Sequence, residues 1–133
     1  MSVSKVVLDA SAFLAMANRE PGAEKVRNVL KGSVMSTVNA SEVLHKLTEK
    51  GMTIGDAEDY VRRFVTDVME FTLTQASLAA SFVPQTRPLG LSLGDRACLA
   101  LGKLINAPVL TADQSWTKLN IGVQIESIRP NPS

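Results

Sequence analysis

The amino-acid sequence predicts an α/β fold in which a mostly parallel central sheet of about five strands is flanked by helices. The main observation is that short β-branched runs alternate with longer segments whose apolar residues recur at helical spacing. The 133 residues suit one domain rather than two, and no linker-like stretch interrupts them. A composition with 45% hydrophobic and 20% charged residues excludes a disordered chain. Residues 1–133 are therefore predicted to form a single domain.

Five segments are predicted as strands because they are short, rich in β-branched residues and bounded by turn residues or helical patterns. They are residues 5–8, 34–37, 70–73, 108–111 and 123–128. In the third segment the signal is the alternation of polar and apolar side chains, whereas the first is an apolar run of the kind found in buried parallel strands. A Pro-rich tail follows the last strand.

The segments between the strands are predicted as helices from the spacing of their apolar residues. They are residues 10–18, 21–30, 39–50, 53–67, 75–83 and 92–105, with a short turn or helix at 114–119. Pro84 is expected to end the fifth helix, and residues 86–90 to form a loop. The helix at 92–105 is almost entirely apolar and is expected to be buried.

The charge and cysteine content indicate the cellular environment of the protein and limit how it could bind a nucleic acid. The formal net charge is only +1, so any nucleic acid would have to be held by a local groove rather than by a general basic field. Cys98 is the one cysteine and lies in an apolar run, which indicates a buried thiol and a reducing, cytoplasmic location. No segment reaches the length of about 20 apolar residues that a membrane span needs.

Four acidic residues are expected at one edge of the sheet. Asp9 and Asp113 follow strands, while Glu42 and Asp95 lie in the first turns of helices that begin there. Each acid also has a purely structural explanation, because a carboxylate at the start of a helix caps free backbone N–H groups and interacts with the helix dipole. Four carboxylates close together repel one another, and proteins tolerate such clusters when a hard cation such as Mg²⁺ or Mn²⁺ binds them.

The residues that several other kinds of functional site require are missing from the sequence. The chain has neither of the glycine-rich patterns that bind dinucleotides or the phosphates of nucleoside triphosphates. His45 is the only histidine, so zinc binding and serine–histidine catalysis have little support. It is expected to be a surface or partly buried residue of a helix, although the spacing of three residues places it beside Glu42.

Four sequence blocks, in this order, resemble a PIN domain, and the length resembles the VapC branch of bacterial and archaeal toxin–antitoxin pairs. The blocks are residues 6–12 (VVLDASA), 39–43 (NASEV), 90–102 (GLSLGDRACLALG) and 111–116 (TADQSW). This resemblance implies a three-layer α/β sandwich and an endoribonuclease that depends on Mg²⁺ or Mn²⁺. It also implies a cognate antitoxin as partner and a homodimer.

The resemblance assigns roles to individual positions. It maps the metal-binding and catalytic acids onto Asp9, Glu42, Asp95 and Asp113. The supporting polar positions that it implies are Thr111, Ser11 and Asn39, and the bulky position Trp116 is a packing residue.

Basic and apolar surfaces give further expectations about binding. Arg87 and Arg96 lie near the acidic residues and are the candidates for contact with RNA phosphates, whereas the other basic residues are expected on solvated helix faces. The apolar faces of the helices at 10–30 and 53–67 are expected to form part of a groove for a helix of the antitoxin. Phe64 is the residue chosen to distinguish such a groove from the core of the domain.

Three alternatives remain at the level of sequence. A PIN-fold nuclease outside a toxin–antitoxin pair would share all of the acids. An inactive PIN-like scaffold that only binds partners would not need them. A phosphorelay receiver domain has a similar length and layout, but it requires paired acids after its first strand, where this chain has Asp9 followed by Ala10 and Ser11.

Overall fold

The structure is a computed structural model that describes residues 4–129. Its strands are β1 (Val6–Leu8), β2 (Ser33–Ser36), β3 (Asp67–Met69), β4 (Val109–Thr111) and β5 (Ile125–Ser127). They form one sheet in the order β3-β2-β1-β4-β5, and every neighbouring pair is parallel. The α/β fold with a parallel sheet is confirmed, while most of the predicted Pro-rich tail lies outside the described residues.

The helices connect the strands and cover both faces of the sheet. They are α1 (Ala10–Ala17), α2 (Ala23–Arg27), α3 (Thr37–Glu49), α4 (Ile54–Phe64), α5 (Leu73–Ser81), α6 (Val83–Thr86) and α7 (Leu93–Ile105). Short 3₁₀ turns occur at Leu30–Gly32, Arg87–Leu89 and Gln114–Lys118. Within residues 4–129, no helix combines the length and apolar character needed to cross a membrane.

Two separate hydrophobic cores lie on the two faces of the sheet. Leu8 and Leu110 point into a core shared with α1, α2, α3 and α4. Val7 and Val109, their neighbours in sequence, point into the other core, which is shared with α5 and α7. This alternation follows from the pleat of a strand, and it produces the three-layer arrangement that the resemblance implied.

The third strand is displaced from its predicted position at 70–73. Phe64 ends α4, and the chain is then tied to the beginning of β2 by Thr66. Its hydroxyl donates to Leu30 O at 2.7 Å, and its backbone N–H donates to Ser33 Oγ at 3.1 Å. These bonds begin the strand earlier, at residues 67–69. The alternating residues that suggested a strand instead lead into α5, where Thr72 caps the helix by accepting from Gln75 N.

The ends of two helices also differ from prediction. Pro84 does not terminate a helix but lies in the first turn of α6, a position that proline tolerates because its missing N–H would have no partner there. The predicted loop at 86–90 contains a 3₁₀ turn that ends at Gly90, whose φ of 67° suits a residue without a side chain. The second helix is shorter than predicted, and the 3₁₀ turn Leu30–Gly32 leads into β2.

Candidate functional site

Asp9 follows β1 directly and is held by two hydroxyl groups. Ser11 Oγ donates to Asp9 Oδ2 at 2.5 Å, and Thr111 Oγ1 donates to the same oxygen at 3.0 Å. Each hydroxyl also accepts a backbone N–H, from Ala112 at 3.0 Å and from Asp113 at 3.1 Å. Each hydroxyl thus joins Asp9 to the backbone that follows β4. The other carboxylate oxygen, Oδ1, stands outside this pair of hydrogen bonds.

The environment of Asp9 disfavours its charged form. The side chain is buried, and the pKa is raised from 3.8 to about 6, chiefly by loss of hydration and further by the negative charges of Asp95 and Glu42. The hydrogen bonds from Ser11 and Thr111 act in the opposite direction and lower the pKa. The carboxylates of Glu42 on α3 and Asp95 on α7 are therefore close enough to act on Asp9, which follows β1.

Glu42 is held by Asn39, which lies one turn earlier in α3. The Asn39 amide nitrogen donates to Glu42 Oε1 at 2.9 Å and to the carbonyl of Gly94 at 3.0 Å, so it joins α3 to α7. Asn39 is fully buried, whereas Glu42 is half-buried at the edge of the sheet. The position of the Glu42 carboxylate therefore depends on two helices rather than one.

Asp95 belongs to a capping box at the start of α7. Its Oδ2 accepts from Ser92 N at 2.8 Å, and its own backbone N–H donates to Ser92 Oγ at 3.2 Å. The structural explanation offered by the sequence is thus confirmed for Asp95. It does not exclude a second role, because the charge of the same carboxylate acts on Asp9.

Asp113 is exposed and differs from the other three acids. It caps the 3₁₀ turn after β4, since its Oδ1 accepts from the backbone and the hydroxyl of Ser115 at 2.9 and 2.7 Å. It is linked to Asp9 only indirectly, through the bond from its N–H to Thr111 Oγ1. The structure therefore brings Asp9, Glu42 and Asp95 together electrostatically and leaves Asp113 at the rim.

The oxygen donors fit a hard divalent cation in their chemistry. Carboxylates suit Mg²⁺ or Mn²⁺, and a cation beside Asp9 would offset the repulsion from Glu42 and Asp95 that raises its pKa. Across residues 4–129, no three acidic, histidine or cysteine side chains converge into a ready-made metal cage. A bound cation would have to draw these carboxylates closer together.

The remaining residues singled out in the sequence lie around this site or away from it. Arg96 Nη1 donates to the Leu91 carbonyl at 2.9 Å and so braces the loop before α7, while Arg87 is exposed in the preceding 3₁₀ turn. His45 is on the surface, with Nε2 at 3.3 Å from Glu49 Oε1. Trp116 is buried, as expected for a packing residue.

Cys98 lies in the core below the acids. Burial raises the pKa of its thiol, and the negative charges of Asp9, Asp95 and Glu42 raise that pKa further. The thiol is therefore kept protonated, which agrees with the expectation of an inert buried cysteine.

Gly94 is the site residue that the sequence analysis did not single out. A glycine inside a helix is unfavourable relative to alanine, so its occurrence in α7 was a signal for a close contact. Its partner could not be identified from sequence, because Asn39 and Glu42 are more than 50 positions away.

The fold and this acidic edge together define an α/β domain whose oxygen donors gather at the carboxyl ends of parallel strands. The chain belongs to the PIN domain family, whose model matches residues 6–121. PIN domains are nucleases. The match excludes the phosphorelay receiver domain considered from the sequence. No curated protein sequence matches the chain significantly.

Several solved structures share this fold. Those similar to the chain include a DNA-bound VapBC from Salmonella typhimurium (15% identity, TM-score 0.71), with 94% of this chain and 98% of that chain covered. VapBC2 from Rickettsia felis, bound to a promoter DNA fragment, has 11% identity, a TM-score of 0.71 and coverage of 92% and 97%. VapBC-5 of Mycobacterium tuberculosis, described as a toxin–antitoxin system, has 18% identity, a TM-score of 0.62 and coverage of 97% and 100%. At these identities the likeness establishes the fold alone.

Proposed function

We propose that this protein is the toxin of a toxin–antitoxin pair and acts as a divalent-metal-dependent endoribonuclease. The observation that carries the proposal is the placement of the buried Asp9 at the carboxyl edge of the sheet of a PIN domain, where the charges of Glu42 and Asp95 act on it. The structural relatives named as VapBC systems support the toxin assignment. The reaction is the hydrolysis of RNA phosphodiester bonds.

The acidic residues would hold Mg²⁺ or Mn²⁺, with Asp9, Glu42 and Asp95 at the centre and Asp113 at the rim. The chemistry supplied by a bound divalent cation is activation of water and neutralisation of charge on the phosphate. Ser11 and Thr111 hold Asp9 in one orientation through its Oδ2. With a pKa of about 6, Asp9 is mostly ionised at neutral pH and can act as a ligand.

Basic residues close to the site are the proposed contacts for the RNA backbone. Arg87 is exposed, so its guanidinium is free to approach a phosphate group. Arg96 uses Nη1 to hold the Leu91 carbonyl, and its role includes shaping the loop before α7. The target RNA is defined by loop shape rather than by a residue-to-base code.

A groove bordered by α1 offers a place for the antitoxin. It has a volume of about 600 Å³ and is formed by α1, α2 and α4, with apolar walls and two arginines at its rim; the lining residues are Met16, Ala17, Arg19, Arg27, Leu30, Tyr60 and Phe64. We propose that an amphipathic helix of the antitoxin docks here, in a cytoplasmic complex built on a homodimer of this chain.

Phe64 tests this docking site. It is half-buried and packs against Tyr60 with ring centroids 4.8 Å apart, so Phe64→Ala is expected to weaken antitoxin binding by removing part of the groove wall. Binding of the co-purified antitoxin is measured by titration calorimetry, with melting and RNA cleavage recorded on the same sample. Unfolding of the free variant would instead assign Phe64 to the core of the domain.

RNA cleavage tests the catalytic proposal most directly. The purified chain is incubated with a fluorescent single-stranded RNA in Mg²⁺, in Mn²⁺ and in EDTA, and cleavage is expected only with metal. Glu42→Gln is expected to abolish cleavage, while Glu49→Gln, an exposed acid on the same helix, is the matched control. Metal-independent cleavage, or an active and folded Glu42→Gln, would contradict the proposed mechanism.

Growth in cells tests the toxin assignment. Expression of the wild type without antitoxin is expected to arrest growth, and co-expression of the antitoxin to restore it. A folded Asp9→Ala variant is expected to be harmless. Active cleavage in vitro without any growth arrest would favour a PIN nuclease outside a toxin–antitoxin pair, and a folded wild type that lacks cleavage would favour a binding scaffold.

A further inference from the structure

The Glu42 carboxylate lies directly against the backbone of Gly94. A Cβ atom at Gly94 would be 2.5 Å from Glu42 Oε2 and 2.6 Å from Oε1, distances that real Cβ atoms essentially never show. Both carboxylate oxygens and the carbon between them are the nearest atoms to that position. Any side chain at residue 94 would therefore have to displace the charged end of Glu42.

Asn39 fixes the same carboxylate from the other side. Its amide nitrogen donates to two acceptors, Glu42 Oε1 at 2.9 Å and Gly94 O at 3.0 Å. A flipped amide would place its oxygen against both acceptors, so the orientation is determined by these partners. Asn39 Oδ1 is buried without a hydrogen-bond partner, a cost that this arrangement tolerates.

We propose that Gly94 and Asn39 are positioning residues that form a seat for Glu42, and that this seat sets the affinity of the acidic edge for a divalent cation. The inference rests on the proposed function, because it assigns Glu42 to metal binding. The seat consists of the bare backbone of Gly94 and the amide of Asn39. It holds Glu42 at the beginning of α7, where Asp95 is also fixed by its capping box.

The chain contains a matched control for Gly94. Gly55 is likewise the second residue of a helix, with a hydroxyl cap before it and an aspartate after it, and a Cβ atom there would meet nothing within 4 Å. Alanine is a better helix former than glycine, so Gly55→Ala is expected to raise the melting temperature. Gly94→Ala gains the same helix propensity, but its Cβ atom clashes with the Glu42 carboxylate.

A double-mutant cycle in EDTA tests the seat without metal. Melting temperatures are measured for Gly94→Ala in the wild-type and Glu42→Ala backgrounds, with Gly55→Ala in both as the control. The shift caused by Gly94→Ala is expected to be more favourable by at least about 3 °C when Glu42 is absent, since the clash is then removed. Equal shifts in the two backgrounds would overturn the proposed contact.

Titration with Mn²⁺ tests the consequence for the site. The dissociation constant is expected to rise about tenfold in Gly94→Ala and to stay unchanged in Gly55→Ala, with folding checked by circular dichroism. Asn39→Ser is the second variant if Gly94→Ala does not fold, and it is expected to weaken Mn²⁺ binding similarly. Wild-type affinity in a folded Gly94→Ala would overturn the positioning role. A wild type that binds no Mn²⁺ would instead contradict the proposed function, while the cycle in EDTA still decides whether the seat exists.

Discussion

The first turns of α4 and α7 carry nearly the same sequence in very different surroundings. Residues 53–56 read Thr-Ile-Gly-Asp and residues 92–95 read Ser-Leu-Gly-Asp. In both, the hydroxyl residue caps the helix by accepting the backbone N–H of the aspartate, at 3.1 Å in α4 and 3.2 Å in α7. The apolar residue between them is exposed in each case. Local sequence thus builds two similar helix starts.

The difference between the two helix starts comes from the neighbouring elements. Gly55 faces open space, whereas Gly94 faces the carboxylate of Glu42 on α3. Asp56 is exposed, whereas the charge of Asp95 acts on the buried Asp9. A capping motif therefore does not distinguish a structural acid from a site acid, and one carboxylate can occupy both roles.

The largest expected effect is on cleavage, from neutralising the aspartate in each helix start. Asp95→Asn is expected to lower the RNA cleavage rate by about 100-fold or more, because it removes a charge from the proposed metal site. Asp56→Asn is expected to leave the rate unchanged. Rates are measured at saturating Mn²⁺ on samples with matched melting curves. Equal rates in two folded variants would remove the functional distinction between the two helices.

The pH dependence of stability should distinguish the buried Asp9 from a surface acid. Its pKa is about 6 in the folded protein against 3.8 in the unfolded chain, so the folded state retains a proton that the unfolded state has lost. The free energy of unfolding should therefore fall as pH rises from about 4 to about 6, with a contribution of about 3 kcal/mol that is absent in Asp9→Asn.

Urea denaturation in EDTA at several pH values measures this effect. The difference between wild type and Asp9→Asn isolates the contribution of Asp9 from that of other acids. Ser11→Ala should move the pH window upward, because the hydrogen bond from Ser11 lowers the pKa of Asp9. If wild type and Asp9→Asn showed the same pH profile, the environment described for Asp9 would be incorrect.

A divalent cation should stabilise the fold through the acidic edge. At a Mn²⁺ concentration 100 times the dissociation constant, the wild type should gain about 2.7 kcal/mol, seen as a rise in melting temperature. Asp9→Asn should show a smaller rise, and Asp56→Asn the full rise. The same Mn²⁺-dependent shift in wild type and Asp9→Asn would mean that Asp9 is not a ligand.

The smallest expected effect concerns the caps themselves. Thr53→Ala and Ser92→Ala should each lower the free energy of unfolding by about 1 kcal/mol, since each removes one capping hydrogen bond. Ser92→Ala should retain cleavage, because the backbone N–H of residue 92 still holds Asp95 Oδ2. Denaturant melts and cleavage assays of both variants measure this. A loss of cleavage in Ser92→Ala would show that its hydroxyl, and not only its backbone, positions Asp95.

Much of the fold could be predicted from sequence because its strands are short apolar runs between clear helical patterns. The prediction was wrong where distant contacts override a local pattern. Thr66 is hydrogen-bonded to Leu30 and Ser33, so the third strand begins earlier in the chain than predicted, at Asp67–Met69. No local signal in the sequence reports such a connection.

The candidate site likewise has a part that could be predicted from sequence and a part that could not. Asp9 and Thr111 could be placed together because both stand at the carboxyl ends of adjacent parallel strands. The hydrogen bond from Asn39 to the Gly94 carbonyl could not be predicted, since it depends on how closely α3 approaches α7. The metal-binding roles of Asp9, Glu42, Asp95 and Asp113 stay predictions until the titrations above are made.

The burial of Cys98 makes its thiol a chemical reporter of local opening. Its thiol is fully enclosed and held protonated beneath the acids, so alkylating reagents can modify it only after the chain around it opens. Because the sequence has no other cysteine, every alkylated chain is one that has opened around Cys98, without background from other thiols. The labelling rates measured with and without Mn²⁺ would then compare how readily the core beneath the acidic edge opens to solvent.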